Sequence, residues 1–369
     1  MTIVLIGLLA VLSFFFQKLL YQKIWNRSVL VKLEFADESV FAGGTTVLNE
    51  TVENRKWLPL TVLKVKFQCS NSLIFETDDS STVSDLYYRN DLFCLLPYRR
   101  IIRGHTIHCP KRGYYGINGI DLVGADLFLS TEMVENRLGE AYLHVLPAIW
   151  ETDELITVVR KINGEIAARR HLVTDPFAFR GIREYTPFDE VKSINWKASA
   201  KTEELKVNVN DYTSVGAANL YLNLSDRQSI WQEDQLEKVI SIGCYLVKAL
   251  LEKGNNISLY TNGRDGMNSE IQGINAVGDS GQLEQIYRMM ARIDLKQPPL
   301  PFEQHFKANL DGSSDRLAVI IASDYHEDFQ TFLGQIKGGF IWICPCVKSG
   351  EVPIKEELVV HTILIPDQK

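Results

Sequence analysis

The sequence predicts an α/β chain in which an apolar N-terminal helix leads into a β-rich, sandwich-like module and then into a domain built on a doubly wound, mainly parallel sheet. Three observations predict it. Residues Met1 to Gln17 carry no charged side chain, residues 28–146 consist of short alternating runs broken by turn residues, and from Ala217 onward strand-like and helix-like segments take turns. With 369 residues and 46% hydrophobic content, the chain can bury more than one core. Composition shifts divide it into an anchor and basic flank at 1–27, a β-rich module at 28–150, a connecting segment at 151–215 and the α/β domain at 216–369.

The first element is the run Ile3 to Leu12 continued by Phe14, Phe15 and Phe16. A helix carried on to Tyr21 would be ~30 Å long, about the thickness of a bilayer core. A secretory signal peptide and a buried helix of a soluble domain are the rival readings. Against the first, the start lacks a basic region and no small-x-small cleavage site follows. Lys18, Lys23, Arg27 and Lys32 all precede the first acidic residue, Glu34, so the positive-inside rule predicts a single-pass protein with its soluble domains in the cytoplasm. The six cysteines, Cys69, Cys94, Cys109, Cys244, Cys344 and Cys346, form no small-scaffold disulfide pattern and read as reduced thiols. A net charge of -7 argues against a nucleic-acid partner.

In the module, Val29, Val31, Leu33 and Phe35 share one strand face and Val65 to Phe67 belong to a second strand after Pro59. Gly43-Gly44, Asn54-Arg55 and Asn71-Ser72 supply the turns. The connecting segment is bracketed by Pro176 and Pro187 and ends in the alternating run Leu205 to Val209. Beyond it, Leu220 to Leu224, Ile257 to Tyr260, Leu317 to Ile321, Phe340 to Ile343 and Val359 to Leu364 read as strands. Leu236, Val239, Ile240, Gly243, Leu246, Val247 and Leu250 follow helical spacing, and Leu283 to Ile293 and Phe329 to Ile336 read as further helices.

One stretch combines cations, a carboxylate and aromatics in a way that core patterning does not require: Arg183-Glu184-Tyr185-Thr186-Pro187-Phe188-Asp189, then Ile194-Asn195-Trp196-Lys197-Ala198-Ser199-Ala200. It resembles the signature of the bacterial family catalogued as domain of unknown function 58, in which an arginine, a tyrosine, an aspartate and an Ile-x-Trp-Lys-x-x-Ala run follow in this order. Phe188 stands where the family usually has glycine. Asn54 to Leu60 and Arg112 to Gly116, leading to Asp126-Leu127-Phe128, are similar to the family's N-terminal region, although its fuller Asp-Pro-Phe-Gly-Leu is degraded here. The resemblance implies that the C-terminal domain is von Willebrand factor A-like.

In such a domain the end of the first strand often carries Asp-x-Ser-x-Ser, which holds a divalent ion. The matching positions are Asn223, Ser225 and Arg227, with Asp324 and, more loosely, Thr261 as further oxygen donors. Asn223 gives up a charge and Arg227 replaces a hydroxyl by a cation, so only weak Mg²⁺ binding, or no cofactor, is expected. A plain loop in which Asp226 or Asp324 pairs with Arg227 is the alternative. For Arg183, Tyr185, Asp189, Trp196 and Lys197 two roles stay open: a clamp for an anionic group, or positioning, with Asp189 closing a turn, Arg183 satisfying carbonyls and Trp196 packing at a domain junction. The histidines show no His-Glu-x-x-His spacing, Cys344-Pro-Cys346 lacks the two-residue spacer of redox motifs, and no phosphate-binding loop occurs.

The function expected is that of a membrane-anchored interaction or adaptor protein of the cell envelope. The resemblance implies a MoxR-type AAA+ ATPase as partner, and sometimes a transglutaminase-like membrane protein. An envelope hydrolase using Arg183 to Lys197 is the alternative.

Overall fold

The computed structural model describes residues 2–76, 82–83, 86–170, 174–212, 216–225, 232–267, 274–277, 280–309, 316–336, 339–346 and 353–366. It contains two compact units, Met1–Ala148 and Ile149–Lys369. The first begins with helix α1 (Thr2–Ile24) and continues through β1 (Val29–Phe35), β2 (Ser39–Phe41), β3 (Gly44–Asn54), β4 (Leu60–Ser70), β5 (Ile74–Phe75), β6 (Thr82–Val83), β7 (Leu86–Leu95), β8 (Arg100–Cys109), β9 (Gly113–Ala125) and β10 (Glu132–Leu146).

These strands form two sheets, β1-β3-β8-β5 and β2-β10-β9-β4-β7-β6. Period-two alternation sends Leu48 and Val52 of β3, Leu63 and Phe67 of β4, Phe93 of β7, Ile107 of β8 and Leu122 of β9 into one shared core. All pairings are antiparallel except that of β2 with β10, so short turns suffice to connect most neighbours.

Helix α1 is 23 residues long and apolar enough to cross a membrane. Its two halves differ. Side chains from Ile3 to Leu12 project into solvent, whereas the C-terminal half lies on the β-module. Gln17 Nε2 donates to Asp126 Oδ2 at 3.0 Å, Tyr21 Oη donates to the Pro59 carbonyl at 3.0 Å, and the Phe14 and Phe128 ring centroids are 5.7 Å apart. The following Trp25 is buried in the module's core, its indole pressed against Gly124 where any Cβ would collide with the ring. Lys56 Nζ donates to the Trp25 carbonyl at 2.8 Å, and Arg137 donates to the carbonyls of Asn26 at 3.1 Å and Val29 at 2.6 Å. Three carbonyls just past the helix end therefore meet buried or half-buried cations, which also suits the negative end of the helix dipole.

The second unit contains α2 (Asp153–Arg170), β11 (Thr174–Glu184), α3 (Trp196–Thr202), β12 (Lys206–Tyr212), β13 (Ala217–Asn223), α4 (Gln232–Glu252), β14 (Asn256–Thr261), β15 (Ile274–Val277), α5 (Ser280–Arg292), α6 (Phe302–Asn309), β16 (Leu317–Ala322), α7 (Glu327–Gly334), β17 (Phe340–Cys346) and β18 (Thr362–Pro366). Strands β11 and β12 pair with each other, and the remaining strands form a sheet in the order β15-β14-β13-β16-β17-β18. Gly243 of α4 lets the helix close onto Leu222 of β13, and Tyr221, Phe302, Phe306, Phe329, Phe332 and Trp342 form an aromatic cluster.

The fold class expected from sequence, a doubly wound von Willebrand factor A-like C-terminal domain, is corrected by this architecture. The chain is dominated by strands in antiparallel and mixed sheets, and the C-terminal sheet is itself mixed, because β15 runs antiparallel to β14. Ile274 to Val277 was hidden from a reading that demanded a helix between successive strands. The described residues between β14 and β15 form no helix, and an antiparallel neighbour does not need one. Similarly, the strand expected over Val359 to Leu364 starts only at Thr362, after a 3-10 segment at Glu356–His361.

Trp25→Ala is expected to destabilise the detergent-solubilised chain by about 3–5 kcal/mol, because a fully packed indole leaves a cavity that the flanking strands cannot close. Gly124→Ala should act in the same direction. Thermal unfolding of the purified chain checks both.

Candidate functional site

The Arg183–Asp189 stretch forms the end of β11 and the turn after it. Arg183 grips Asp189 with both guanidinium nitrogens, Nη1 to Oδ2 at 2.7 Å and Nη2 to Oδ1 at 2.5 Å, and Nη1 also donates to the Glu184 carbonyl at 2.9 Å. Asp189 Oδ2 accepts in addition from the Thr186 amide at 2.8 Å and from its hydroxyl at 2.9 Å. The Asp189 carboxyl is held well below the usual carboxylate range, by the Arg183 guanidinium first and the Thr186 amide second. These contacts close the turn. Tyr185 ties the turn to the next strand, its amide donating to the Leu205 carbonyl at 2.9 Å.

Asn195 organises the second half of the signature. Its side chain caps α3 by accepting from the Ala198 amide at 2.9 Å, its Nδ2 donates to Asn208 Oδ1 at 2.7 Å, and its own amide donates to the Lys206 carbonyl at 2.8 Å. Ser199 completes the tether by accepting from the Lys206 amide at 2.8 Å. Trp196 and Lys197 begin the capped helix and point into solvent. Trp196 is 65% exposed and Phe188 is 98% exposed, so the expected packing of Trp196 at a domain junction is replaced by display on a fixed surface. An open cleft of about 620 Å³ beside them is lined by Ile182, Arg183, Thr186, Ala198, Thr202 and Lys206, among others.

At the end of β13, Asn223 and Ser225 are brought together by Asn262, a residue that the sequence pattern did not single out. Its Nδ2 lies 3.3 Å from Asn223 Oδ1, 2.7 Å from Ser225 Oγ and 2.9 Å from the Leu300 carbonyl, while its Oδ1 accepts from the Leu224 amide at 2.8 Å. An amide nitrogen thus sits among three oxygens, where a hard cation would otherwise find its donors. Asp324 instead accepts from the His326 amide at 3.0 Å and lies 2.9 Å from His326 Nδ1, and the Thr261 hydroxyl accepts from Gly263 at 3.2 Å. Asp226 and Arg227 lie outside the described residues.

A third constellation lies inside the β-module. Glu50 of β3 and His105 of β8 face Arg89 and Asp91 of β7 across the two sheets, with ligand atoms of Glu50, Asp91 and His105 all within 4.8 Å of one another. His105 Nε2 is 3.1 Å from Glu50 Oε2 and 3.7 Å from Asp91 Oδ2. Asp91 is also paired with Arg89 at 2.8 Å and Arg103 at 3.0 Å. Two guanidinium groups already neutralise Asp91, so a metal ion would compete with fixed cations there. The network instead bridges the sheets as a buried ion cluster. Burial lifts the Glu50 carboxyl above the ordinary glutamate range, against the pull of the His105 hydrogen bond, and Glu50 Oε1 and Arg89 Nη1 have no hydrogen-bond partner among the described residues. The legible signal was phase: Glu50 sits between inward-facing Leu48 and Val52, and Arg89 and Asp91 sit between Tyr87 and Phe93.

No family model matches the chain, and no curated protein matches it in sequence. Solved structures show distant likeness. A non-cellulosomal cohesin from the archaeon Archaeoglobus fulgidus has 9% identity and a TM-score of 0.23, over 31% of this chain and 91% of its own. A CARDB domain from Pyrococcus furiosus has 13% identity and a TM-score of 0.20, over 31% of this chain and 90% of its own. The sporulation control protein Spo0M of Bacillus subtilis has 10% identity and a TM-score of 0.19, over 43% of this chain and 58% of its own.

Two outcomes are expected. Trp196→Ala should leave stability within about 0.5 kcal/mol of wild type, as for other exposed positions, whereas Asn195→Ala should cost about 1 kcal/mol through the lost helix cap; denaturant titration separates them. The second concerns pH. A carboxyl whose folded-state pKa is raised contributes fully below its unfolded pKa and loses that contribution as pH rises through the folded value. Glu50→Gln keeps a hydrogen-bonding amide beside His105 but cannot ionise. The melting temperature of the variant should therefore gain on wild type as pH rises above about 4.3, the unfolded glutamate value.

Proposed function

We propose that this chain is a membrane-anchored interaction protein of the bacterial cell envelope. It belongs, in this reading, to the family that its Arg183–Ala200 segment resembles, with its soluble units on the cytoplasmic side and a MoxR-type AAA+ ATPase as working partner. The observation that carries the reading is the pair of exposed rings, Phe188 and Trp196, set on a turn locked by the Arg183–Asp189 clamp and on a capped helix. Aromatic side chains held on a rigid support bury large area on binding at small entropic cost, which is how interface anchors work.

Two further facts support it. Helix α1 supplies an apolar segment long enough to enter a bilayer, and the sequence carries no phosphate-binding loop, so ATP hydrolysis falls to the partner. A transglutaminase-like membrane protein is a second proposed partner, and at most weak Mg²⁺ binding is proposed at the end of β13, where Asn262 already engages Asn223 and Ser225. The hydrolase alternative needs a carboxylate poised to accept a proton near neutral pH. Asp189 is instead strongly ionised, with both oxygens engaged.

Co-purification of the tagged full chain from native membranes in mild detergent tests the proposal. Wild type is expected to capture the ATPase, and Trp196→Ala and Phe188→Ala to lose most of that capture while melting at the wild-type temperature. A purified chain that turns over an envelope substrate alone, with activity lost in folded Asp189→Asn, would overturn it.

A further inference from the structure

The β-module ends, where α1 joins it, in a ring of exposed apolar side chains. Leu127, Phe128 and Leu129 lie in the β9–β10 turn, Trp57 in the β3–β4 turn, and Leu96 and Tyr98 between β7 and β8, all of them exposed. Their loops are joined to the helix and to one another. Phe14 of α1 contacts Phe128, Tyr21 donates to the Pro59 carbonyl, the Tyr98 amide donates to the Lys56 carbonyl at 3.3 Å, and Asn54 Nδ2 donates to the carbonyls of Leu58 at 2.9 Å and Leu96 at 3.2 Å.

The β9–β10 turn is built to hold its shape. The buried Asp126 carboxylate accepts from the Ser130 amide at 2.6 Å, the Ser130 hydroxyl at 2.6 Å, the Thr131 amide at 3.1 Å and Gln17 at 3.0 Å. Leu129 takes a left-handed conformation at φ 58°, unfavourable for a branched side chain. Three consecutive exposed apolar residues on a strained, tightly bonded turn are a poor arrangement for a surface facing water.

The position of α1 indicates what covers them. The helix is apolar enough to cross a membrane, and it leaves the module directly beside this ring, with Phe14 against Phe128 and Gln17 bonded to Asp126 at 3.0 Å. A bilayer that takes in the projecting part of the helix meets the ring at its base. Interfacial elements sink ~5–10 Å into the headgroup and acyl boundary, a depth that loops beside the helix can share.

We propose that this end of the β-module is a membrane-embedded collar, with Leu127, Phe128 and Leu129 reaching the acyl region of a phospholipid bilayer and Trp57 and Tyr98 lying at headgroup level. Tryptophan and tyrosine favour that depth. Arg27, Arg55 and Arg99 are exposed at the same end, where anionic lipid phosphates attract arginine and lysine. The Gln17–Asp126 bond engages two polar side chains that would otherwise meet the apolar zone. The inference rests on the membrane-anchored reading above and adds that the folded module, not the helix alone, contacts lipid.

Full-length protein carrying Cys94→Ser, whose other native cysteines are buried, is labelled with an environment-sensitive fluorophore at one of four introduced positions: Val4→Cys in the projecting helix, Leu127→Cys or Leu129→Cys in the collar, and Lys111→Cys in the β8–β9 turn at the far end of β8. It is reconstituted into vesicles of phosphatidylcholine and phosphatidylglycerol containing spin-labelled lipid. Leu127 avoids the left-handed position, so the collar is read even where the Leu129 substitution perturbs the turn. The expected result is quenching at Val4 and at the collar several-fold above that at Lys111. Quenching at Val4 with collar labels resembling Lys111 overturns the collar and leaves the anchor standing. Lys111-like signals at all positions overturn both.

Discussion

The seating of Trp25 against the bare backbone of Gly124 couples an apolar helix to a folded β-module, and much of the N-terminal unit follows from it. A free helix–sandwich junction would leave the carbonyls past Ile24 to solvent and the two parts free to swing. Here Lys56 and Arg137 come up from the module to take those carbonyls. Lys56 is buried, and burial, followed by the nearby Arg137 charge, brings its ammonium down to about 8. A lysine with a depressed pKa is tolerable where its hydrogen bond is to the negative end of a helix, since the same geometry that costs solvation restores favourable electrostatics.

The interior of the module obeys a related constraint with a different solution. Charged side chains at the inward phase of β3, β7 and β8 turn to each other: the buried Arg89 and the half-exposed Arg103 bracket Asp91, and Glu50 leans on His105. Aromatic faces complete the enclosure, with the Arg89 guanidinium 4.9 Å from the Phe75 ring centroid and that of Arg103 4.4 Å from Phe93. Such a cluster adds little net stability compared with an apolar core, but its geometry is directional in a way that leucine packing is not. It constrains how β3 and β8 can register against β7 across the sandwich.

Sequence patterning reached the elements whose burial is periodic. The apolar helix, the alternating strands of the module, and the strands and helices around Leu220, Val239 and Val319 all follow from side-chain phase alone. It failed at strand direction, because β15 offers only Ile274 to Val277 and pairs antiparallel, with no helix among the described residues between it and β14 to announce it. It also failed at Asn262, whose amide acts across 38 residues to Leu300, and at Trp196, because an aromatic in a capped helix reads the same whether it faces a core or solvent. The charged residues of the module core were visible as violations of alternation, but His105 looked ordinary without Glu50 and Asp91 beside it. Period and turn chemistry are local; who satisfies whom is not.

In the clamp segment an ion pair sets the shape of a turn. Arg183 is bidentate to Asp189 and Thr186 closes the other side, so both Asp189 oxygens are engaged within the turn. Asn195 does the same for the neighbouring helix, binding the strand behind it through Asn208 and Lys206. The rings of Phe188 and Trp196 stand outward on this frame, among the exposed charged side chains of Glu184, Glu190, Lys192 and Lys197. The Arg183–Asp189 clamp, the Thr186 contacts and the Asn195 cap fix where those rings stand, so their position is set by polar contacts within the turn and the helix.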